Sequence, residues 1–328
     1  MKQYLKRLLP KRAREICKVL WYSFSLLPEY WYWFKKDLFE SNLIPNERSI
    51  LAGLMVTSHV LEKGITMPNR RLGFGYDRVR YISRRCKSAI KLYSENHIEI
   101  QSTLKDLEQY LHIHIQENFQ LPADIEKDIR ELLNYKKTDT IACFESTPDK
   151  FFKSNADFRE FAHSRHTVRW YSGERVDKDV LIEAIRLAQT APSACNRQST
   201  KVYIVDSGEK KEAVLRLQNG NRGFGHLADK ILLVSSNMKF WSYNTRYMAY
   251  IDAGIFTQNL LYSLHYYKIC ACTLNANLSF QQRKELQNII GYTDSEIPTV
   301  FISIGMAPEH FMVAGSQRIN TDQIYTFV

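Results

Sequence analysis

The second half of the chain alternates between strand-like and helix-like segments, and this alternation constrains the fold more than any other feature. Strands are predicted in KVYIVD, KILLVSS, ICACTLN and PTVFISIGM. Helices are predicted in DKDVLIEAIRLAQTA, SGEKKEAVLRLQ, RYMAYIDAGIFTQNLLYSLHYY and SFQQRKELQNII, with N-caps at Asp177, Ser207 and Ser279. KILLVSS and TVFISIG are apolar on both faces, which is typical of a central sheet covered by helices on each side. We therefore predict a compact α/β sandwich there.

The first half is predicted to be mainly helical. Apolar residues recur three and four positions apart in SILAGLMVTSHVLEKG and in STLKDLEQYLHIHIQENF. Between residues 136 and 158 this pattern is lost, and charged residues, small polar residues and Pro148 indicate a connector. Because 328 residues are enough for two domains, we predict a helical N-terminal region over residues 1–155 and a second domain over residues 156–328.

Composition excludes some functional classes. A hydrophobic content of 45% with 24% charged residues is ordinary for a globular protein. The 45 basic and 35 acidic residues give a net charge of +10, which favours contact with a phosphate-bearing cofactor, a membrane surface or a nucleic acid. Charge alone does not choose among these, but no nucleic-acid reader motif is present. The six cysteines are dispersed without zinc-site spacing, so we predict reduced thiols, no metal site and a cytoplasmic protein.

The N-terminal segment is unusually basic and aromatic. Residues 1–18 carry seven lysines and arginines against one glutamate, and VLWYSFSLLPEYWYWF follows at 19–34. No signal-peptide cleavage pattern follows this run, and it is too short for a membrane span. Two interpretations stay open. Residues 1–34 lie peripherally on the inner face of the membrane, or they form a helix packed on its own domain.

The stretch RHTVRWY, residues 165–171, raises the question of an anion site. If it is extended, Arg165, Thr167, Arg169 and Tyr171 share one face. That face is consistent with either a solvated edge strand or an anion-binding site, and these residues alone do not distinguish the two. No Walker loop is present, and no G-x-G-x-x-G opens a helix after a strand, so a Rossmann nucleotide site is not supported. The two Gly-Phe-Gly triplets, at 73–75 and 223–225, are interpreted as turns.

Four segments taken together resemble the nitroreductase family of FMN-dependent oxidoreductases. They are RHTVR at 165–169, APSACNRQ at 191–198, the helix that begins with DAGIFTQNL at 252, and GSQR at 315–318. The resemblance covers about residues 160–328 and is specific as a set. It implies an α+β fold with a mixed central sheet flanked by helices, FMN as cofactor and NADH or NADPH as electron donor. It also implies a ping-pong reaction and a homodimer with FMN sites at the interface.

The resemblance also implies roles for individual residues. Arg165 and Arg318 would hold the FMN phosphate, with Ser316 in the same GSQR segment. His166 and Thr167 would contact the phosphate and ribityl chain, and Arg169 would lie under the pyrimidine edge of the ring, where a cation favours the reduced flavin. The loop residues Pro192, Ser193, Ala194 and Asn196 would reach the flavin of the partner subunit. Asn219 and Arg222 would contact the ring edge, and the backbone of Leu274, Asn275 and Ala276 would face flavin N5. No side chain is predicted to be catalytic, and Cys195 is interpreted as a small loop residue.

The chain departs from the family in two places. Ser199 stands where many members have proline, so the loop is expected to run differently there. The segment SHVLEKGITMPNRRLGFG, residues 58–75, lies outside the small nitroreductases. It resembles the H-x-x-E-K-G segment of nitroreductase-like proteins of bacterial surface-polysaccharide gene clusters. His59, Glu62 and Lys63 share a helical face there. With Arg70 and Arg71, they form either a substrate or lid surface or a solvated ion-pair cluster.

The expected function is therefore an FMN-dependent oxidoreductase acting on an unidentified small-molecule or glycan-linked acceptor, with a link to surface-polysaccharide biosynthesis. The alternative, from another class, is a membrane-associated flavoprotein-fold module for assembly or regulation, with little turnover. His112 and His114 diverge on a predicted helix and are not expected to bind metal.

Overall fold

The computed structural model describes residues 47–137, 142–206, 208–241 and 245–328, together with positions 10, 24, 27, 30 and 31. Ser207 and most of the 1–34 segment thus lie outside the described residues. The chain divides into two compact units, Met1–Leu54 and Met55–Val328. In the first unit, Phe24, Leu27, Tyr30 and Trp31 are exposed. The boundary expected near residue 155 stays a prediction about independent folding. None of the helices in the described segments is long and apolar enough to cross a membrane.

Helices and strands follow one another in an α+β order, which confirms the predicted class. The helices are α1 (Glu47–Ile65), α2 (Tyr76–Leu92), α3 (Ile98–Gln116), α4 (Ala123–Leu133), α5 (Pro148–Phe151), α6 (Phe158–Ser164), α7 (Lys178–Ala188), α8 (Gly208–Leu217), α9 (Met248–Tyr266) and α10 (Phe280–Ile290). The strands are β1 (Cys143–Ser146), β2 (Thr200–Val205), β3 (Lys230–Asn237), β4 (Cys270–Asn275), β5 (Glu296–Gly305) and β6 (Phe311–Ala314).

The central sheet has four strands in the order β2-β3-β5-β4. Every pairing among these strands is antiparallel, so the mixed sheet expected from the resemblance is not seen in the described residues. The strands are nevertheless apolar on both faces, because side chains alternate and each face meets its own helices. Phe301 packs in one core cluster, whereas its neighbours Ile302 and Ile304 pack in the other. The continuous apolar pattern therefore reflects two covered faces rather than parallel pairing.

Helices cover the sheet on both sides. Leu181 and Ala184 of α7 and Leu260 and Leu264 of α9 belong to one core cluster. Leu217 at the end of α8 and Leu286 within α10 belong to the other. Two of the predicted N-caps are confirmed. Asp177 accepts hydrogen bonds from the backbone of α7, and Ser279 forms a capping box with Gln282 at the start of α10.

The predicted connector contains regular structure. Residues 143–146 form β1, which pairs antiparallel with β6, Cys143 opposite Ala314 and Ser146 opposite Phe311. The prediction of an irregular connector was wrong at this point, because a strand of four residues is too short to show an alternating pattern. The pairing has a consequence for the site, since it fixes the chain just before Ser316 and Arg318. The amide of Gly315 donates to the carbonyl of Ala142 at 2.6 Å.

Helices α2, α3 and α4 form a helical layer in the first half of the second unit. Their shared interior contains Ile82 and Cys86 from α2, Leu107 from α3, and Ile129 from α4, all with no measurable exposure. Ion pairs join α2 to α4 at the surface, including Arg80 to Asp124 at 2.7 Å. The described part of the first half is therefore mainly helical, as predicted.

Candidate functional site

The RHTVRWY segment runs in extended form beside β4 rather than as a regular strand. The amide of Val168 donates to the carbonyl of Ala271 in β4 at 3.1 Å, and that of Ser172 donates to Met306 at 3.0 Å. Arg169 and Tyr171 are buried. A solvated edge strand is therefore excluded, because the side of the segment that carries these two residues faces the protein interior.

Two arginines and a histidine converge at the start of this segment. Arg165 follows directly after α6, and its pKa is lowered chiefly by burial and further by the charge of Arg318. The pKa of His166 is lowered by burial, then by the charges of Arg165 and Arg318. His166 donates from Nδ1 to the carbonyl of Ser164 at 3.0 Å, so its Nε2 is left as an acceptor in the neutral form. Arg165 and Arg318 have no acidic ion-pair partner in the described parts of the chain.

The surroundings of Arg165 are organised by a buried histidine. His265 of α9 is hydrogen bonded through Nε2 to the hydroxyl of Ser164 at 2.8 Å. Burial lowers the pKa of His265 to about 3, and the nearby charges of Arg165 and His166 act in the same direction. His265 is therefore neutral at physiological pH and packs among Phe151, Phe152 and Phe161 without adding charge.

The GSQR segment arrives from the β1–β6 pair. Ser316 has a left-handed backbone, with φ of 48°, and its amide donates to Glu62 Oε1 at 3.2 Å. Arg318 donates to the carbonyl of Ser316. The structure thus brings Arg165, His166 and Arg318 together as predicted, although the amide of Ser316 is taken by a carboxylate from α1. Thr167 lies in the same segment and is half-buried.

Arg169 lies at a second polar position, deeper than Arg165. Arg169 is 7% exposed. Its guanidinium lies 6.0 Å from the Phe224 ring centroid and donates from Nη2 to His59 Nε2 at 3.3 Å. The pKa of the neighbouring Cys272 thiol is raised by burial, and the charge of Arg169 opposes that rise. A buried cation without a carboxylate contact is expensive in free energy unless an anion or an electron-rich group is bound beside it.

The α1 residues of the H-x-x-E-K-G segment contact this region directly. His59 accepts from Arg169 through Nε2, so its Nδ1 carries the hydrogen that it donates to Glu62 Oε2 at 3.1 Å. Lys63 donates to the carbonyl of Gly220 at 2.7 Å and lies 5.0 Å from the Phe224 ring centroid. Burial, then the charge of Arg169, lowers the pKa of Lys63. Glu62 is buried and Lys63 is half-buried, whereas His59 is exposed, so a fully solvated cluster does not describe the first two residues. The substrate or lid surface stays a prediction.

Arg70 and Arg71 do not join them. Arg70 donates from Nη1 to the carbonyl of Ile65 at 3.1 Å, which ties the segment after α1 to the helix end. Arg71 is exposed. Gly64 lets the Phe74 ring lie against α1, since a Cβ at position 64 would stand 2.9 Å from Phe74 Cζ and closer to two other ring atoms. His114 forms hydrogen bonds within the protein. It accepts from the amide of Gly73 at 2.9 Å and donates to the carbonyl of Tyr110 at 2.7 Å.

The predicted ring-edge segments meet through a residue that the sequence did not single out. Gln218, buried after α8, donates to the carbonyl of Asn275 at 3.0 Å and accepts from the amide of Gly220 at 2.7 Å. It thus joins the turn containing Asn219 and Arg222 to the segment of Leu274, Asn275 and Ala276. Asn219 and Arg222 are exposed, Leu274 is buried, and the charge of Arg222 contributes to the lowered pKa of Lys63. The polar and small residues of QNGNRG were the only sequence signal that could have indicated a role for Gln218.

The loop of Pro192, Ser193, Ala194 and Asn196 lies apart from these groups. The amide of Ala194 donates to Asp252 Oδ2 of α9 at 3.0 Å, and Ser193 Oγ accepts from the amide of Gln198 at 3.0 Å. Cys195, Asn196 and Gln198 all have positive φ near 50°, a conformation that side chains seldom adopt. Cys195 is exposed. Across the described ranges, no hydrogen bond or ion pair joins this loop to Arg165, Arg169 or Arg318.

Two further residues were missed by the sequence. Phe224 is fully buried between Lys63 and Arg169, although its Gly-Phe-Gly context indicated only a turn. Asp106 of α3 is buried beside Glu62, and no sequence signal joins positions so far apart along the chain. Within the residues that the structure describes, no group of three or more histidine, cysteine or acidic side chains is arranged to hold a metal ion.

Comparisons with known proteins agree with part of this site. Residues 162–221 match the model of the nitroreductase family, which confirms the resemblance over those residues. They include RHTVR, the APSACN loop and the turn up to Asn221. A comparison with curated protein sequences gives no match. The likeness to proteins of polysaccharide gene clusters stays a prediction.

Several solved structures are similar to part of the chain. A nitroreductase family protein from Streptococcus pneumoniae is 18% identical, with a TM-score of 0.45 over 52% of this chain and 100% of that chain. A nitroreductase family protein from Clostridium difficile is 16% identical, with a TM-score of 0.44 over 52% and 98%. An FMN-dependent nitroreductase from Clostridium difficile is 18% identical, with a TM-score of 0.40 over 50% and 92%.

Proposed function

We propose that the protein is an FMN-dependent oxidoreductase that takes electrons from NADH or NADPH and passes them to a second substrate in ping-pong order. The observation that carries the proposal is the convergence of Arg165, His166 and Arg318, whose charges act on one another without an acidic partner in the described chain. The match of residues 162–221 to the nitroreductase family supports it.

The residues at this end fit a phosphate dianion. Like charges held close together are unfavourable in the absence of a counter-charge, and a phosphate supplies one. Arginine presents a planar fork of donors that suits bidentate contact with phosphate oxygens. Arg165 and Arg318 would hold the phosphate, and His166 and Thr167 lie beside them in the same segment.

The groups around Arg169 fit the other end of a flavin. When bound, FMN would supply the hydride-accepting and hydride-donating chemistry, which no side chain here provides. The buried guanidinium of Arg169 would favour negative charge next to it, and Phe224 would shield it from water. His59 is hydrogen bonded to both Arg169 and Glu62 and so links the buried guanidinium to α1.

We further propose a homodimer, in which the loop of Pro192, Ser193, Ala194 and Asn196 serves the site of the partner subunit. This would account for the absence of a described contact between the loop and Arg165 or Arg318. Asp252 holds the loop through the amide of Ala194, and the small side chains there would allow close approach to a flat ring.

One observation favours the alternative of a flavoprotein-fold module with little turnover. Polar groups of the proposed ring site are already bonded within the chain: Arg169 to His59, Lys63 to Gly220, and the amide of Ser316 to Glu62. A site closed in this way by α1 would slow the exchange of substrates. The two functions differ in turnover, not in FMN binding.

Colour and bleaching separate these functions. Purified protein should be yellow with a flavin absorbance profile, and NADH or NADPH should bleach it under anaerobic conditions. A colourless protein that FMN does not reconstitute would refute both functions. A yellow protein that stays oxidised with both nicotinamides would favour the module or a different electron donor.

The phosphate assignment has its own test. The double variant Arg165→Ala/Arg318→Ala should lose FMN, because each charge-assisted hydrogen bond contributes about 10- to 100-fold to affinity. Arg159→Ala is the matched control, since Arg159 is exposed on the neighbouring helix α6. FMN content is measured by absorbance after purification, and affinity by flavin fluorescence titration. Equal FMN content in the double variant and the control would contradict the assignment.

The remaining elements of the proposed function concern location and acceptor. We propose a cytoplasmic protein that contacts the inner face of the membrane through residues 1–34 and acts in surface-polysaccharide biosynthesis on a small-molecule or glycan-linked acceptor. Sedimentation with anionic liposomes, with and without residues 1–34, tests the membrane contact. Unchanged sedimentation after the truncation would contradict it.

A further inference from the structure

A buried cation and a buried carboxylate lie close together in the candidate site without forming a direct ion pair. Arg169 is 7% exposed and Glu62 is 4% exposed. Burial raises the pKa of the Cys143 thiol, the charge of Glu62 adds to that rise and the charge of Arg169 opposes it, so both groups lie near one thiol. Among the described side chains, the ion-pair partner of Glu62 is His59, not Arg169. The two charges are therefore neighbours that are kept apart.

His59 of α1 lies between them. Arg169 Nη2 donates to His59 Nε2 at 3.3 Å, and His59 Nδ1 donates to Glu62 Oε2 at 3.1 Å. A guanidinium can only donate hydrogen bonds and a carboxylate can only accept them. The ring therefore accepts at one nitrogen and donates at the other, which is the pattern of a neutral imidazole with its hydrogen on Nδ1.

The other oxygen of Glu62 is held by the GSQR segment. Oε1 accepts from the amide of Ser316 at 3.2 Å. Ser316 has a left-handed backbone, which residues with a side chain seldom adopt, and its carbonyl accepts from Arg318. Both oxygens of Glu62 are thus engaged by donors other than Arg169. The carboxylate is held in place from two sides.

This arrangement preserves the charge of the guanidinium. An arginine in direct contact with a carboxylate typically forms a bidentate pair, in which the two charges offset each other. An imidazole between them satisfies one donor of the guanidinium and one acceptor of the carboxylate and adds no charge of its own. Because Coulomb attraction weakens with distance, Arg169 keeps more of its positive potential than it would in a direct pair with Glu62.

We propose that His59 is a positioning residue, which holds Arg169 in place and prevents Glu62 from neutralising it. The proposal rests on the proposed function, in which the charge of Arg169 favours the reduced flavin. His59 acts through Arg169, and its effect is to raise the reduction potential of bound FMN. The H-x-x-E-K-G segment of α1 thereby serves the flavin site from within the same chain.

The reduction potential of bound FMN measures this role. His59→Ala should favour oxidised over reduced FMN by at least about 10-fold, because Glu62 can then offset the guanidinium directly; this lowers the two-electron potential by about 30 mV. His59→Gln should keep the potential of the unsubstituted protein, since an amide side chain also offers one acceptor and a donor. His112→Ala is the matched control, because His112 is an exposed histidine on another helix, α3.

The outcomes separate positioning from a general loss of structure. Thermal melting shows whether each variant is folded. An unchanged potential in His59→Ala would overturn the proposal, and so would an equal fall in His59→Ala and His59→Gln. A fall in the control as large as that in His59→Ala would also contradict it.

The tautomer of His59 provides a test that does not need FMN. Long-range ¹H–¹⁵N NMR of the full chain at about pH 8, after removal of any bound flavin, should show the hydrogen of His59 on Nδ1. An imidazole in water carries its hydrogen mainly on Nε2, as expected for His112. A hydrogen on Nε2 of His59 would overturn its role, whether or not FMN binds. Absence of FMN binding would instead refute the proposed function, so the two failures are distinguishable.

Discussion

At the scale of single residues, burial and nearby charge give chemically similar side chains different states. Glu62 and Asp106 are both buried carboxyl groups, yet Glu62 has two donors, whereas Asp106 has one donor and a buried oxygen without a partner among the described residues. Burial, then the charge of Glu62, raises the pKa of Asp106 well above its ordinary value. SHVLEKG alone does not show this difference, because Asp106 and Ser316 are distant from Glu62 in sequence.

The protonation state of Asp106 predicts a pH-dependent stability. Its folded-state pKa is raised above the value of about 3.9 that an unfolded aspartate has, so the folded state binds more protons. The stabilising contribution of Asp106 is complete below about pH 4 and is lost as pH rises through the folded-state pKa. Asp106→Asn cannot ionise. The free energy of unfolding of Asp106→Asn should therefore increase relative to that of the unsubstituted protein as pH rises. The increase should be up to about 1.4 kcal/mol per pH unit.

Urea unfolding of both proteins between pH 5 and pH 8 measures this difference. The control is Glu108→Gln, in which an acid is likewise replaced by its amide, but at a partly exposed, ion-paired position of the same helix. Its difference from the unsubstituted protein should not grow with pH over this interval. If the curves of Asp106→Asn and of the unsubstituted protein run parallel, Asp106 is not held as an acid in the folded state.

At the scale of elements, α1 contains a glycine whose usual effect on helix stability should be reversed. Glycine to alanine in an exposed helix interior stabilises by about 1 kcal/mol. At Gly64, however, the new Cβ would collide with the Phe74 ring, which Tyr110 holds at a centroid distance of 5.1 Å. We expect Gly64→Ala to lower the free energy of unfolding by about 1–3 kcal/mol, the usual cost of overpacking.

The matched control lies in the same helix. A Cβ at Gly53 would meet no described atom within 4 Å, so Gly53→Ala should be neutral or stabilising. Chemical denaturation of the two variants compares them directly. Stabilisation by both substitutions would show that Phe74 does not pack on Gly64 as described.

Local pattern predicted the elements well where several residues carried the signal. KILLVSS and PTVFISIGM are strands because each face of the sheet is covered, and Asp177 and Ser279 begin helices because their side chains accept hydrogen bonds from free backbone amides. CFES was missed, since its partner FMVA is distant in sequence and only the pairing identifies it as a strand. The mixed sheet was inferred from resemblance, and the register of the described strands is antiparallel instead.

The site could be predicted only in part for the same reason. The arginines of RHTVR and GSQR were identified because their motifs recur in a family. The contacts of Lys63 with Gly220 and of His59 with Arg169 depend on how the first half of the second unit packs on the second half. No local pattern encodes that packing, so the burial of Glu62 and the contacts of Lys63 could not be predicted from the sequence.

At the scale of the whole molecule, α9 has apolar residues on its exposed side as well as on its buried side. Ala253, Leu260 and Leu264 on one side of the helix are buried against the sheet. On the other side, Tyr250 and Ile251 are about half exposed, and Ile255 is 40% exposed. A helix that is apolar on all sides is normally buried on all sides. The same helix holds the Pro192–Asn196 loop through Asp252, which is the loop proposed to serve a partner subunit.

We therefore expect the exposed side of α9 to pack against a second copy of the chain. The double variant Ile251→Glu/Ile255→Glu should prevent dimerisation. Placing charges in an apolar interface desolvates them without partners, so the variant should be monomeric while the unsubstituted protein is dimeric by size-exclusion chromatography with light scattering. Leu92→Glu is the control, because Leu92 is equally apolar and 63% exposed but lies at the end of α2. Arg165 and Arg318 are unchanged in Ile251→Glu/Ile255→Glu. If this variant loses FMN together with the dimer, the result would support a contribution of the Pro192–Asn196 loop to the FMN site of the partner subunit. A monomeric unsubstituted protein that still binds FMN would contradict the shared site, since each chain would then complete its own.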